Sequence, residues 1–397
     1  VRLAHAPEHT AGLALWQDVL DADEQPLGRR PLDRARDTVA TEARLTRTLP
    51  AGLTGPLLTS VPAAFHAGAT DVLLAGLALA VTDWRRVTGR ATEPVRVDVE
   101  GHGRETESFG ADLTGTVGWF TSLYPVRLDA PGDLAGVWTG GAATGDLIKS
   151  VKEHLRALPH HGLGYGLLRY LNADTAAVLG ARPHPQIGFN YLGRTSGLRT
   201  DDAGDLAWTL DTDGLHGGAD PRMPLAHALE IEVIAQETDD GDELSVVWRW
   251  PADLFDEREI AALADTWQRA LGTLVRHAQT PGAGGHTPSD LDLIALTQTD
   301  IDALEAEFTP DYGGVEDILP VTPFQEGLLF HALYDTAAAD VYTAQFAFER
   351  TGELDPAAAG ALRAAAHDLV RRHPALRSAF RQRGGDGAWT QVVARDV

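Results

Sequence analysis

The stretch VEGHGRETE, residues 99–107, sets Glu100, Glu105 and Glu107 and one histidine, His102, around two glycines. Carboxylates and an imidazole are the side chains that move protons near neutral pH. These residue types allow two readings: a polar turn, or a strand end that delivers a carboxylate into a cavity for proton chemistry. The preceding PVRVDVE places the first carboxylate. It alternates, with Val95, Val97 and Val99 on one side and Arg96, Asp98 and Glu100 on the other. Glu100 therefore ends a strand on its polar face, and Gly101 releases the backbone. A second polar insertion lies in FNYLGR, residues 189–194. There Phe189 and Tyr191 share the face expected to join the core, and Asn190 taken alone reads equally as a turn residue. By residue chemistry alone, this supports a carboxylate at one strand end and an amide–phenol pair at another, without an acid partner.

Other chemistries are excluded or left without support. The chain has no cysteine, which removes disulfides, thiol catalysis and thiolate-bound metals. It has neither a P-loop nor a strand followed by G-x-G-x-x-G, and GLGYG (162–166) follows a helix and a proline, as a loop does. The pair His160–His161 invites a zinc site but has no third ligand at a sensible spacing, so the alternative is a surface pair. No nucleophile elbow surrounds a serine. A net charge of −24 argues against nucleic acid and anionic membranes as partners. No apolar run approaches membrane-spanning length and no signal-peptide pattern opens the chain, so a cytoplasmic location is the expectation.

The elements that must position these residues belong to a chain of 397 residues, long enough for more than one core. Apolar spacing predicts helices over 70–87, 144–158, 256–278 and 356–373, and a short one near 299–307. Strand signals occupy 95–100, 185–193, 227–235 and 243–250, the last with Leu244, Val246, Trp248 and Trp250 on one face. TPGAGGHTPSD (280–290) reads as a linker. Mixed helices and strands place the chain in the α/β or α+β class.

Several stretches, in order, resemble the C-terminal part of a nonribosomal peptide synthetase epimerization domain. They are RPLDRARDT (30–38), ATDVLLAGLALAV (69–81), EGHGRE (100–105), GTVGWFTSLYPV (115–126), PHHGLGYG (159–166), FNYLGR (189–194) and TPSDLDL (287–293). One departure is Gly115, where that family usually has arginine. DILPVTPFQEGLLFHALYD (317–335) and RRHPALRSAF (371–380) are similar to the opening motifs of a condensation domain. The resemblance implies an α/β (α+β sandwich) fold of chloramphenicol acetyltransferase-like lobes, incomplete at both ends. It divides the chain into 1–290 (epimerization part), 291–316 (linker) and 317–397 (start of a condensation domain). The motif HHxxxDG, which carries the acid/base histidine of both domain types, is absent, since HHGLGYG has tyrosine at the aspartate position.

The resemblance also implies an activity: L-to-D epimerization of an aminoacyl or peptidyl thioester. Glu100 matches the family's glutamate facing that histidine, and Asn190 and Tyr191 match the motif that orients the thioester or stabilises its enolate. His102, Arg104 and Glu105 then shape the loop, with Glu105 the lesser candidate for the base. No tightly bound cofactor and no metal are implied, and the substrate arrives on the phosphopantetheine arm of a peptidyl carrier protein. The partners implied are carrier domains, the missing lobes and adjacent synthetase domains. The rival reading is a non-catalytic module that binds carrier proteins, and the chain alone is expected to be nearly inactive.

Overall fold

The computed structural model describes residues 1–21, 25–90, 93–105, 110, 112–129, 132–195, 219–334, 344–347, 349, 351–352, 355–383 and 387–396. Glu107 of the opening stretch lies outside them. The chain divides into two compact units, Val1–Ala283 and Gly284–Val397.

The first unit is built on a six-stranded sheet in the order β1-β6-β5-β4-β2-β3. Its strands are β1 (Glu42–Leu49), β2 (Val95–Gly101), β3 (Ser122–Leu128), β4 (Ile187–Thr195), β5 (Leu229–Thr238) and β6 (Gly241–Pro251). The central pairs β2–β4 and β4–β5 are parallel and the outer pairs antiparallel. Sequence alternation located β2, β4, β5 and β6 but named neither β1 nor β3. ARLTRTL in β1 alternates weakly, with only Leu49 fully buried, and β3 carries Pro125 in mid-strand.

One face of the sheet is apolar. Val97, Val99, Ile187, Phe189, Leu229, Ile231, Val246 and Trp248 point into a single core. The Ala69–Val87 helix covers that core and is buried without a break from Asp71 to Arg85, so its near-absence of a polar stripe is a consequence of burial rather than of membrane insertion. The Glu257–Ala278 helix crosses it so closely that a Cβ on Gly76 would meet Leu271 Cδ2 at 2.6 Å. The Trp267 indole donates to the Leu73 carbonyl at 3.2 Å and stands edge-on to Trp248, ring centroids 5.8 Å apart. No single helix among the described residues is long and apolar enough to cross a membrane.

The second unit has a three-stranded antiparallel sheet, β7 (Val315–Pro320), β9 (Trp389–Ala394) and β8 (Ser378–Gln382), with β9 in the centre. The segment expected as a linker, 291–316, is folded. It carries a capped helix, Gln298–Tyr312, and gives Leu291, Leu296, Ile301 and Phe308 to a small core with Val315, Ile318, Val392 and Ala394. The loop reading of 280–290 also ends early. Thr287 makes a capping box with Asp290, and the His286 amide and ring both bond Glu305, at 2.6 and 3.0 Å. Helices Pro323–Tyr334 and Pro356–Arg372 bury no side chain.

Candidate functional site

The second face of the first sheet carries the charges, and strand register sorts them into rows. Asp98, Gly188, Glu230 and Arg249 lie in one row across β2, β4, β5 and β6. In the next, Asn190 stands opposite Glu232, and Glu100 stands opposite Leu123 of β3. Asn190 Nδ2 donates to Glu100 Oε2 at 2.7 Å. Two residues from separate motifs are thereby joined because β2 and β4 are adjacent parallel strands. Glu100 itself is exposed at the end of its strand.

The alternation that exposes Glu100 was expected to put Arg96 and Asp98 on an ordinary polar face. Both are buried, at 2% and 3% exposure. What covers Asp98 is His227, which lies just ahead of β5 and is itself buried. Its Nε2 bonds Asp98 Oδ2 at 3.0 Å and its Nδ1 bonds Glu230 Oε1 at 3.2 Å. The ring occupies the place that a side chain at position 188 would take, since a Cβ on Gly188 would fall 2.6 Å from His227 Nδ1. Burial opposes charging of the imidazole, but hydrogen bonds from it to two carboxylates outweigh burial and raise its pKa from 6.5 to about 9. The same contact holds the Glu230 carboxyl below the usual glutamate range.

Glu100 is shifted the other way. Partial desolvation and then the neighbouring acids Glu230 and Glu232 push its carboxyl up, against the pull of His227 and the Asn190 hydrogen bond. A carboxyl held above its ordinary range is a more basic proton acceptor than an ordinary one. Beside these rows lies a cavity of about 480 Å³, bounded among others by Arg34, Arg96, Asp98, Arg169, His184 and His227. Sequence reading missed His227, Asp98 and Glu230 as a group. The available signal was slight: in HALEIE only Glu230 and Glu232 share a strand face, His227 falls outside that alternation, and its partner on β2 lies 129 residues earlier.

The remaining candidates are placed as follows. Tyr191 alternates with Asn190 and packs against the apolar core, on the face away from Glu100. Its phenol is pushed up by burial. The structure thus brings Asn190 to Glu100 and does not bring Tyr191 there. The imidazole of His102 accepts the Arg104 amide at 3.0 Å. Arg104 donates to the carbonyls of Leu113 and Thr116, the latter at 3.0 Å, and its guanidinium lies 4.4 Å over the Phe120 ring. Glu105 bonds His161 Nδ1 at 2.8 Å. The His160–His161 pair, offered as a surface feature, thus ties its loop to EGHGRE through His161, while His160 packs on His9 at 4.7 Å.

Two glycines explain the local turns. Gly103 has φ +62°, and a Cβ there would sit 1.7 Å from the Phe120 carbonyl oxygen. Gly162 has φ +83° and abuts the Tyr124 ring, whose phenol is pushed up to about 12 by burial and by Glu105. Gly115 meets nothing within 4 Å, so the departure from arginine leaves an open spot. Among the described residues, no cluster of three or more histidine, aspartate or glutamate side chains has the geometry to hold a metal.

Comparison with known proteins fits this arrangement. The condensation-domain family model matches residues 7–293 and 315–397. A linear gramicidin synthase protein of Brevibacillus parabrevis is 38% identical over 354 residues, covering 88% of this chain and 6% of that protein. A second, separate protein of the same synthase is 34% identical over 405 residues, 100% of this chain and 7% of the relative. The chain therefore spans a small fraction of the curated relatives it matches. Among solved structures, the epimerization domain from the third module of tyrocidine synthetase B superposes with a TM-score of 0.55 at 27% identity, over 70% of this chain and 57% of that one. The fold, the two matched stretches and these relatives agree: the chain belongs to the condensation-domain family and is a segment of the condensation and epimerization type found in nonribosomal peptide synthetases.

Proposed function

We propose that the first unit is the glutamate-bearing part of an epimerization domain, and that the second opens a condensation domain. The observation that carries the reading is the Glu100–Asn190 pair on an open strand end, where neighbouring acids and partial desolvation hold the Glu100 carboxyl above the usual glutamate range. The substrate is an aminoacyl or peptidyl thioester borne on the phosphopantetheine arm of a peptidyl carrier protein. The thioester acidifies the α-hydrogen. The Glu100 carboxylate removes that proton from one face, and the electron pair of the C–H bond moves into the thioester carbonyl as an enolate. A proton returned from the opposite face gives the inverted centre, with no net oxidation. The family resemblance assigns the second proton carrier to the histidine of HHxxxDG, contributed by a lobe that this chain does not contain.

Asn190 holds the Glu100 carboxyl by Oε2, and the other oxygen is the one that takes the α-hydrogen. Arg104 and Glu105 act through the loop, by anchoring 113–120 and the histidine pair. Tyr191 supports β4 from behind.

The decisive experiment uses the complete domain with the missing lobe restored, and follows α-deuterium exchange and D/L composition of a carrier-bound aminoacyl thioester. Exchange that depends on both the restored histidine and Glu100 supports the reading. Carrier binding without exchange would instead make this a non-catalytic docking module.

A further inference from the structure

We propose that the buried Asp98–His227–Glu230 bridge is a positioning device for Glu100, holding its strand in register and setting how tightly its carboxyl keeps a proton. The proposal rests on the reading of Glu100 as the proton carrier. His227 reaches from the start of β5 across the glycine gap in β4 to Asp98 on β2, so it clamps the strand carrying Glu100 to a strand that is not its neighbour. Asp98 is two residues before Glu100, and Glu230 is two residues before Glu232, the strand partner of Asn190. The bridge is therefore the row next to the reacting pair, on the same face.

The groups around both sites set the sign. Glu100 faces Asn190 from β4, Glu230 and Glu232 from β5, and Leu123 from β3. His227 faces Asp98 from β2, Glu230 from β5, and His184 from the segment ahead of β4. Arg34, Arg96 and Arg169 line the cavity it shares. Arg249 of β6 pairs with Glu232, and Glu42 of β1 adds a further carboxylate near Glu230. Glu230 and Glu232 thus crowd Glu100, and the His227 imidazolium opposes them, bonding Glu230 and Asp98 at short range and attracting the Glu100 charge directly. Removing its charge takes that attraction from Glu100 and leaves Glu230 with only Arg249 to offset it, which strengthens the hold of Glu100 on its proton. Neutralising Glu230 weakens that hold. His227 and Asp98 are buried, so their charges act on Glu100 partly through protein, although Glu100 itself is exposed and solvent screens part of the effect.

The test uses this chain as it is. Carbon-13 NMR of glutamate-labelled protein follows the Glu100 carboxyl through a pH titration, with the resonance assigned by its loss in Glu100→Gln. His227→Gln is expected to raise the Glu100 midpoint by at least about half a pH unit, and Glu230→Gln to lower it by a comparable amount. Circular dichroism reports folding, and if His227→Gln unfolds, the Glu230→Gln shift decides alone. Midpoints unmoved in the folded variants, or moved in the opposite sense, overturn the proposal. In the complete domain, the acid limb of kcat/KM should follow the NMR midpoint. A moved midpoint with an unmoved limb would retain the bridge and remove Glu100 from catalysis. An unmoved midpoint with an inactive Glu100→Gln enzyme would do the reverse.

Discussion

Glu100 owes its chemistry to neighbours that differ in kind: an amide that holds one oxygen, and acids that make its charge costly. Glu100→Gln preserves shape and removes basicity. In the complete domain it is expected to lower α-proton exchange by at least ~10²-fold, the low end of general acid–base contributions, with thermal stability unchanged. Tyr191→Phe should leave exchange within about threefold of wild type, because the phenol lies on the core face. Both are read by mass spectrometry of deuterium uptake. The buried His227 gives a separate, pH-dependent signal. Its folded value of about 9 exceeds the ordinary 6.5, so its charged bridge contributes stability that is complete below pH 6.5 and is lost as pH rises toward 9. Glu230, held low, contributes above the ordinary glutamate range and loses that contribution as pH falls. Urea midpoints of the first unit should therefore decline from pH 6.5 to 9, and His227→Gln should flatten that decline.

At the scale of elements, the site is a consequence of strand order. β4 lies between β2 and β5, and its alternating Gly188 and Asn190 serve opposite needs. Glycine leaves room for the His227 ring, while asparagine fills the next row and reaches Glu100. Gly188→Ala puts a methyl carbon 2.6 Å from His227 Nδ1. It should cost about 1–3 kcal/mol in urea denaturation, as overpacking of a filled site does. Gly115→Ala is the control: open space surrounds it, and a change within about 0.5 kcal/mol is expected. The EGHGRE loop depends on Gly103 in the same way that β4 depends on Gly188. There the obstacle is the Phe120 backbone, which cannot rotate aside as a side chain can.

The whole molecule consists of two units with unequal cores. The first surrounds the Ala69–Val87 helix with a large continuous cluster, and among the described residues of the second the cluster holds eight buried apolar side chains. Helices Pro323–Tyr334 and Pro356–Arg372 bury no side chain and expose Phe324, Phe330, Tyr334, Leu362 and Leu369. Amides in these two helices are expected to exchange with deuterium at least ~10²-fold faster than those of Ala69–Val87, because opening them exposes little apolar surface. Limited proteolysis should cut first at 280–284, around the unit boundary. The Gln298–Tyr312 helix should be protected by its packing, and early cleavage inside it would count against the second core.

Much of this was legible along the chain, because some properties are local. Side-chain alternation put Val95, Val97 and Val99 opposite Glu100, and helical spacing marked the Ala69–Val87 and Glu257–Ala278 helices. The ordered motifs indicated the family before any coordinate did. Composition misled where glycine and proline stood for a linker, since Thr287, His286 and Glu305 turn that stretch into packed structure. Only the tertiary structure decided that Asn190 meets Glu100, that Tyr191 does not, and that Asp98 and His227 close a buried bridge. Those facts depend on which strands become neighbours and in what register. Local periodicity leaves that choice open, and the packing of all six strands and their helices onto one core settles it.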